Sequence, residues 1–444
     1  MQILASPRRV LPSFLLTLAV PGGALLAGFA GSALRTGRLD PLDWLLPGMA
    51  AVLLLVWFTS GGPGWLRAGR AMSLVAAPLL ALFIIAGTGW PWAGLVLLVA
   101  GLALAAGAGL IAARNAGKAR WLALCGLLLP AIALPSLADA LGGAGGARGA
   151  VGPVGVMTAL PLHGAAVAAA PGHPSLDSVG LRAPLWLWLE RHGPLRPIDA
   201  LDRAALDGVG TLLLAQPRAL APDELVAVDD WVRAGGHAVI LADPLLHWHD
   251  PRPLGHPARP PLTSLLDPLL AHWGLRLDMA ESAGAADAVE RRPLASGALL
   301  QLSGAGRFER HGKGTACVPD EAGLIARCRI GAGQALLVAD ADWINDALWT
   351  LAPDRPGDRG AWTSDAPRVL ESWLRGGDSP ADPVTTWLAS GEALVRGLRA
   401  SLLLLLLLAL VDGLVARRPS RSHAAKEMKR DQRRNISKTS IDTG

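Results

Sequence analysis

The chain has 444 residues, 51% hydrophobic and 17% charged, with a mean hydropathy of +0.37. That is too apolar and too weakly charged for one soluble globular protein. Most of the net charge of +5 gathers between Arg417 and Lys438 with no aromatic residues interleaved, which does not fit a nucleic-acid surface.

In chain order, the apolar excess comes first. Residues 13–34, 43–59, 72–89, 91–113 and 120–140 are each about long enough to cross ~30 Å of hydrocarbon. A sixth apolar segment, 398–416, contains LLLLLLLALV. Basic residues precede the first segment (Arg8, Arg9). They recur between the second and third (Arg67, Arg70), between the fourth and fifth (Arg114, Lys118, Arg120) and after the sixth (Arg417, Arg418). Six crossings put all four groups on one side, expected to be the cytoplasm of a bacterial inner membrane. Both termini are then cytoplasmic, and residues 141–397 lie outside. Trp44, Trp57, Trp90, Trp92 and Trp121 fall at segment ends, as an interfacial aromatic belt would. Two alternatives stay open: residues 1–33 as a cleaved signal peptide, against which more spans follow, and 72–113 as one crossing plus a re-entrant piece. Asp139 and Asp412 sit near segment ends, and no segment carries a central charge. Transport pathways usually need such charges, so these helices are expected to anchor and pack.

The expected organisation is a membrane part (1–140), a Gly-rich linker (141–152, GGAGGARGAVG), an α/β domain (153–380), a last span (398–416) and a basic cytoplasmic tail (417–444). Within the domain, VGPVGVMTALPL (151–162) reads as a buried strand, Leu181–His192 as a helix and VGTLLLAQP (209–217) as a strand closed by proline. LAPDELVAVDDWVRAGG predicts a helix with Pro222 in its first turn and Asp223 and Glu224 where the helix dipole favours anions. Gly235 and Gly236 stop it, and HAVILADP follows as a strand. Strand, helix, strand with short links implies a parallel sheet. SLLDPLLAHWGLRLD (264–278) predicts a helix and a strand, residues 323–340 a hairpin turning at Gly331–Gly333, and Ala366–Arg375 a last helix.

Two stretches carry a family resemblance: TLLLAQPRALAPDELVAVDDWVRAGGHAVILADP (211–244) and GAGQALLVADADWIND (331–346). The middle of the chain resembles the class I glutamine-amidotransferase-like domain of the GldG-like gliding-motility auxiliary proteins, and is similar to the DUF4350 membrane proteins. The resemblance implies a flavodoxin-like, mostly parallel sheet with helices on both faces. It also implies work beside an ABC-type permease and ATPase or other envelope proteins, in a fold that has generally lost its catalytic residues. The five leading spans depart from the gliding-protein pattern.

An active amidotransferase needs a cysteine on a strained elbow with a histidine nearby. Cys125, Cys317 and Cys328 are the three cysteines, and none sits in Gly-x-Cys-x-Gly. Gly-x-Ser-x-Gly is absent too, as is the phosphate-binding Gly-x4-Gly-Lys-Ser/Thr. Cys317 and Cys328 could form a disulfide worth ~3 kcal/mol outside the cytoplasm, or remain two unrelated thiols. A tight hairpin at Pro319–Ala322 would put them out of register, so the bond requires a wider loop. His247, His249 and His256, with Asp250, occur in a Pro-rich segment; they are candidate zinc ligands but read more simply as loop residues. Asp243 and Asp340 each end a strand at the edge where α/β folds place their clefts. There they either fix the next loop through its N–H groups or pair for hydrolysis. The expectation is a non-catalytic auxiliary subunit without a cofactor; a membrane-tethered hydrolase and a ligand or glycan sensor are the alternatives.

Overall fold

The computed structural model describes residues 10–58, 64–114, 117–143, 152–163, 182–250, 252–256, 258–279, 289–312, 316–320, 322–378 and 382–416. Arg8, Arg9, the tail from Arg417 and most of the expected linker lie outside these residues.

Seven helices precede the α/β domain: α1 (Val10–Phe29), α2 (Ser32–Thr36), α3 (Leu45–Phe58), α4 (Gly64–Ile85), α5 (Trp92–Arg114), α6 (Lys118–Cys125) and α7 (Leu128–Gly143). A last helix, Gly391–Ala416, follows the domain. Among the described residues, four stretches are long and apolar enough to cross a membrane: Phe14–Thr36, Trp92–Ala112, Trp121–Leu141 and Gly391–Leu414. They support a membrane protein and correspond to the first, fourth, fifth and sixth expected segments. The second and third coincide with shorter apolar helices, Pro41–Val56 and Ser73–Ile85. A 3-10 turn over Pro41–Trp44 shortens the former; Asp40 caps it by accepting the Leu42 N–H. The expected 120–140 helix divides into α6 and α7 around Gly126 and Leu127. Linker residues Gly142 and Gly143 belong to the end of α7.

The first and last spans are tied by polar contacts as well as by packing. Thr17 Oγ1 donates to buried Asp412 at 2.8 Å, and Ser401 donates to the Ala77 carbonyl of α4. Such bonds hold helices together where apolar burial gives no preference for one neighbour over lipid.

The domain is built on a seven-stranded sheet. Five strands are parallel: β2 (Val154–Thr158), β3 (Leu195–Pro197), β4 (Thr211–Ala215), β5 (His237–Leu241) and β12 (Gly333–Val338). Numbered along the chain, their spatial order is second, first, third, fourth, fifth. β11 (Ile325–Ile330) and β10 (Cys317–Pro319) extend the β12 edge antiparallel. Alternation along the strands splits the core in two. Val156, Leu213, Val239 and Val338 face helices α8 (Pro184–His192) and α13 (Ala366–Leu374) and a set of buried tryptophans. Met157, Leu212, Leu214, Ile240 and Leu337 face α10 (Pro222–Arg233) and α11 (Asp267–His272). Helices therefore cover both faces, as a parallel sheet requires.

The β4–α10–β5 unit occupies its expected residues. Glu224 adds a function beyond favouring the helix dipole: its carboxylate accepts the Ala221 and Leu201 N–H groups. Two bonds from Arg218 hold its pKa down to about 2. The 264–278 segment forms its helix and strand, but the strand β6 (Leu275–Met279) leaves the main sheet. It pairs with β9 (Gly306–Arg310), and β7 (Val289–Pro293) pairs with β8 (Leu299–Ser303). The β11–β12 hairpin turns in register at Ile330 and Gly333. Gly331 there has φ +59°, and a Cβ would stand 2.6 Å from the Arg233 carbonyl, so glycine is required twice over. Cys317 and Cys328 are directly opposed on β10 and β11 and are disulfide-bonded. The register difficulty of a tight hairpin does not arise, because the loop closes more widely, with the Asp320 N–H donating to the Ile325 carbonyl.

Domain and membrane helices meet through the segment 382–389. Thr386 and Trp387 (β13) pair antiparallel with Arg38 and Leu39 (β1) between the first spans. The Gly87 N–H donates to the Trp387 carbonyl, and the Ala93 N–H to the Pro383 carbonyl. At the centre is buried Asp382. Arg38 Nη2 reaches it at 2.6 Å, Arg368 Nη1 at 3.2 Å, and Arg359 Nη2 donates to the same oxygen. Burial alone would raise the Asp382 pKa; the three guanidinium charges outweigh it and hold the carboxyl below its ordinary value. Arg38 also donates to Thr385 and to the Arg359 carbonyl. Asp365 accepts from Trp387 Nε1 and from the Leu299 N–H. Removing Asp382 leaves three buried arginines facing one another. Asp382→Ala is therefore expected to lower stability by ~3–5 kcal/mol, read as thermal unfolding of the detergent-solubilised chain. Glu290→Ala at the exposed Arg292 pair should change it by under ~1 kcal/mol.

Candidate functional site

The carboxyl edge of the parallel sheet brings three aspartates together. β5 runs on into Ala242 and Asp243, and β12 into Ala339 and Asp340. Pairing Val338 with Leu241 places the two aspartates on neighbouring strand ends. Two residues later, a 3-10 turn at Asp342–Ile344 returns Asp342 to the same spot. One carboxylate oxygen from each of Asp243, Asp340 and Asp342 lies within 4.8 Å of the others, and all three residues are buried. Among the described residues this is the only such cluster of potential metal-ligating groups.

Each carboxylate holds backbone. Asp243 accepts the Leu245 N–H on Oδ1 and the Ala341 N–H on Oδ2, both at 2.8 Å. Asp340 accepts from Trp343 at 3.1 Å and from Ser303 at 3.0 Å. Asp342 Oδ2 accepts the His247 N–H at 2.7 Å, while its buried Oδ1 has no hydrogen-bond partner. Gln216, at the end of β4, completes the edge. Its Oε1 accepts the Asp243 N–H, and its Nε2 donates to the Asp243 and Pro261 carbonyls. Gln216 has φ +42° although it precedes a proline, a strained conformation for a side-chain-bearing residue.

Burial sets the electrostatics. It raises Asp243 to about 6 against the lowering effect of the Ala341 and Leu245 bonds. It raises Asp342 to about 8, with the Asp243 charge adding to it. Asp340 is raised well above 3.8 by burial and by both neighbours. At neutral pH Asp342 is therefore held largely protonated. Three oxygens at this spacing could equally surround a hard cation. A general base, by contrast, must reach the proton it abstracts, and Asp243 and Asp340 are 0% exposed and Asp342 1%.

A family model described as an ABC-type uncharacterized transport system matches residues 194–291. The match runs from β3 to β7 and carries Gln216, Arg218, Glu224, Asp243 and His247, but stops before Asp340 and Asp342. No curated protein matches the chain. Among solved structures, the exo-beta-1,4-mannosidase Op5Man5 from Opitutaceae bacterium strain TAV5 is similar at 14% identity and a TM-score of 0.26, over 47% of this chain and 34% of that one. The cytoplasmic protein STM3548 from Salmonella typhimurium gives 10% and 0.27, over 44% and 91%. A beta-galactosidase from Bacillus circulans sp. alkalophilus gives 13% and 0.25, over 51% and 31%. This chain spans about a third of the length of the two glycosidases. At these scores the likenesses support no assignment of fold or activity.

The histidines expected as candidate ligands stay apart from the acidic cluster. His247 contributes its backbone N–H, and its ring Nδ1 lies 2.9 Å from Ser303 Oγ. His249 is exposed. His256 is also exposed, and its Nδ1 accepts the Ala258 N–H. A second feature of the same edge was not expected. Beside β2 and β4, where successive connections leave the sheet in opposite directions, lies a cleft of about 440 Å3. It is lined by Thr158, Asp199, Arg218, Arg259, Pro261 and Leu265. Open α/β sheets bind ligands at such switch points. The strand-closing QPR at 216–218 was the available signal, read only as a stop.

The raised carboxyls make stability depend on pH in a defined direction. Their folded-state pKa values exceed the ordinary 3.8, so the folded chain binds more protons above that pH. Their contribution is complete below about pH 4 and is lost as pH rises through 6 and 8. Thermal unfolding followed by tryptophan fluorescence should show Tm falling from pH 5 to 8.5. Asp342→Asn, neutral throughout, should fall less, by ~3 °C for each ~1 kcal/mol removed. Parallel curves would mean that the cluster is ionised and paired.

Proposed function

We propose that this chain is an integral membrane auxiliary subunit of an ABC-type export or cell-envelope complex. On this reading it is of GldG-like or DUF4350 type and presents a non-catalytic, amidotransferase-like domain outside the cytoplasm. The observation that carries the reading is the family match over residues 194–291 in a chain with four helices apolar enough to cross a membrane. The second-first-third-fourth-fifth strand order supports a flavodoxin-like fold. A non-catalytic role is supported by the absence of a cysteine or serine elbow and by strand-end carboxylates that are sealed from solvent and occupied by backbone N–H groups. The Cys317–Cys328 bond supports an extracytoplasmic domain, because disulfides persist in oxidising compartments.

A second reading, a membrane-tethered hydrolase, has the closeness of Asp243, Asp340 and Asp342 in its favour. It requires an opening of the domain that lets substrate in. The switch-point cleft gives a ligand sensor a comparable foothold.

Two measurements test the first reading. Affinity purification of the tagged chain from its native membrane should bring down an ABC ATPase and permease; recovery of neither would remove it. In intact cells, a membrane-impermeant maleimide should label an Asp223→Cys variant made in a Cys125→Ala background, because Asp223 is exposed on the domain. Labelling that requires cell lysis would put the domain in the cytoplasm.

A further inference from the structure

The joint between domain and membrane helices contains a cavity of about 290 Å3, near the lower end of the ~300–1,000 Å3 range of ligand pockets. Its lining carries both charges: Arg38 and Arg359 with Asp382, and Asp40, Asp43 and Asp139. Of the basic residues, Arg38 spends three of its five N–H donors on Asp382, Thr385 and the Arg359 carbonyl. Arg359 has a buried Nε with no hydrogen-bond partner, and burial with the nearby Arg38 charge lowers its pKa to about 10. A buried guanidinium donor left unmet is unfavourable, and an anionic oxygen would satisfy it.

Of the acidic residues, Asp43 accepts from Ser32 through one oxygen, and Asp40 accepts the Leu42 N–H. Asp139 projects from α7 and is exposed. Burial, with Asp43 adding to it, raises Asp40 to about 6. Carboxylates crowded in this way are relieved by a cation.

The position of the cavity narrows the ligand. Residues 38–43 lie just before α3, and Asp139 lies near the end of α7. The exposed Trp92 begins α5 close by, where Gly94 packs against Pro41 and the Val384 carbonyl, and tryptophans mark a membrane–water interface. Below Asp139, α7 presents Leu129, Ile132 and Leu137, all exposed, as a surface for acyl chains. A ligand here meets an anion site and a cation site side by side, with an apolar wall leading away.

We propose that this pocket binds the headgroup of a zwitterionic phospholipid of the phosphoethanolamine type. The phosphate faces Arg359 and Arg38, and the primary ammonium faces Asp40, Asp43 and Asp139. A primary ammonium suits three carboxylates because it offers three N–H donors. The lipid would fill the joint and couple domain position to the membrane surface.

Native mass spectrometry of the delipidated full chain in detergent tests this, with phosphatidylethanolamine and phosphatidylglycerol of matched acyl chains as probes. Phosphatidylethanolamine should be retained at least ~5-fold more tightly, the loss expected for one charge contact of ~1 kcal/mol. Asp139→Asn should reduce that preference without changing Tm, and Arg359→Gln should weaken both lipids. Equal retention of the two lipids, or a preference unmoved by Asp139→Asn, would overturn the proposal. Soluble glycerophosphoethanolamine and inorganic phosphate separate the sources. If the former binds as tightly as the lipid, the ligand is soluble and the lipid claim fails. If phosphate alone does, the site is a simple anion site and the zwitterion claim fails.

Discussion

Asp382 is the charge on which the two halves of this molecule depend. It is buried, and it receives Arg38 from the loop after the first span and Arg359 and Arg368 from the α/β domain. Three cations round one anion would repel if they stood alone. The neighbouring Asp365, tied to Trp387 and to the β8 backbone, supplies further negative charge within 4.0 Å of Arg368. The strands β1 and β13 then fix the register, so the domain is attached at one face and not merely tethered by a linker. A buried ion cluster of this kind gives little net stability but strongly disfavours misplacement.

The same logic, with carboxylates predominating, operates at the far edge of the sheet. Asp243, Asp340 and Asp342 secure three loops through their N–H groups, and burial keeps them partly protonated. Gln216 reaches the same junction from the next strand in a strained backbone conformation. The edge is therefore rigid and closed, while the adjoining switch-point cleft is open. The cleft is lined by Arg259 and by Arg218, which Glu224 positions.

Much of the fold was legible because it is local. The β4–α10–β5 unit announces itself through Pro222, an apolar stripe, a glycine pair and a short return. The β11–β12 hairpin depends on Gly331. That Asp243 and Asp340 both end strands at one sheet edge was also readable; their closeness was not. What stayed hidden is non-local. Asp342 joins the cluster only through a 3-10 turn, and Arg38 meets Asp382 across most of the chain. The disulfide register depended on a loop width that spacing does not give. Segment length misled at the second run, where a 3-10 turn capped by Asp40 leaves a shorter apolar helix than hydropathy alone suggests.

The joint also has a consequence for biogenesis. Arg38 leaves the ribosome 344 residues before Asp382, its partner. For all that time the basic side chain waits at the membrane surface while the whole α/β domain is made and folded. Only when 382–389 follows can β13 add to β1 and the last helix take its place beside α1 and α4. The molecule thus completes its membrane bundle last, after the whole domain has been synthesised.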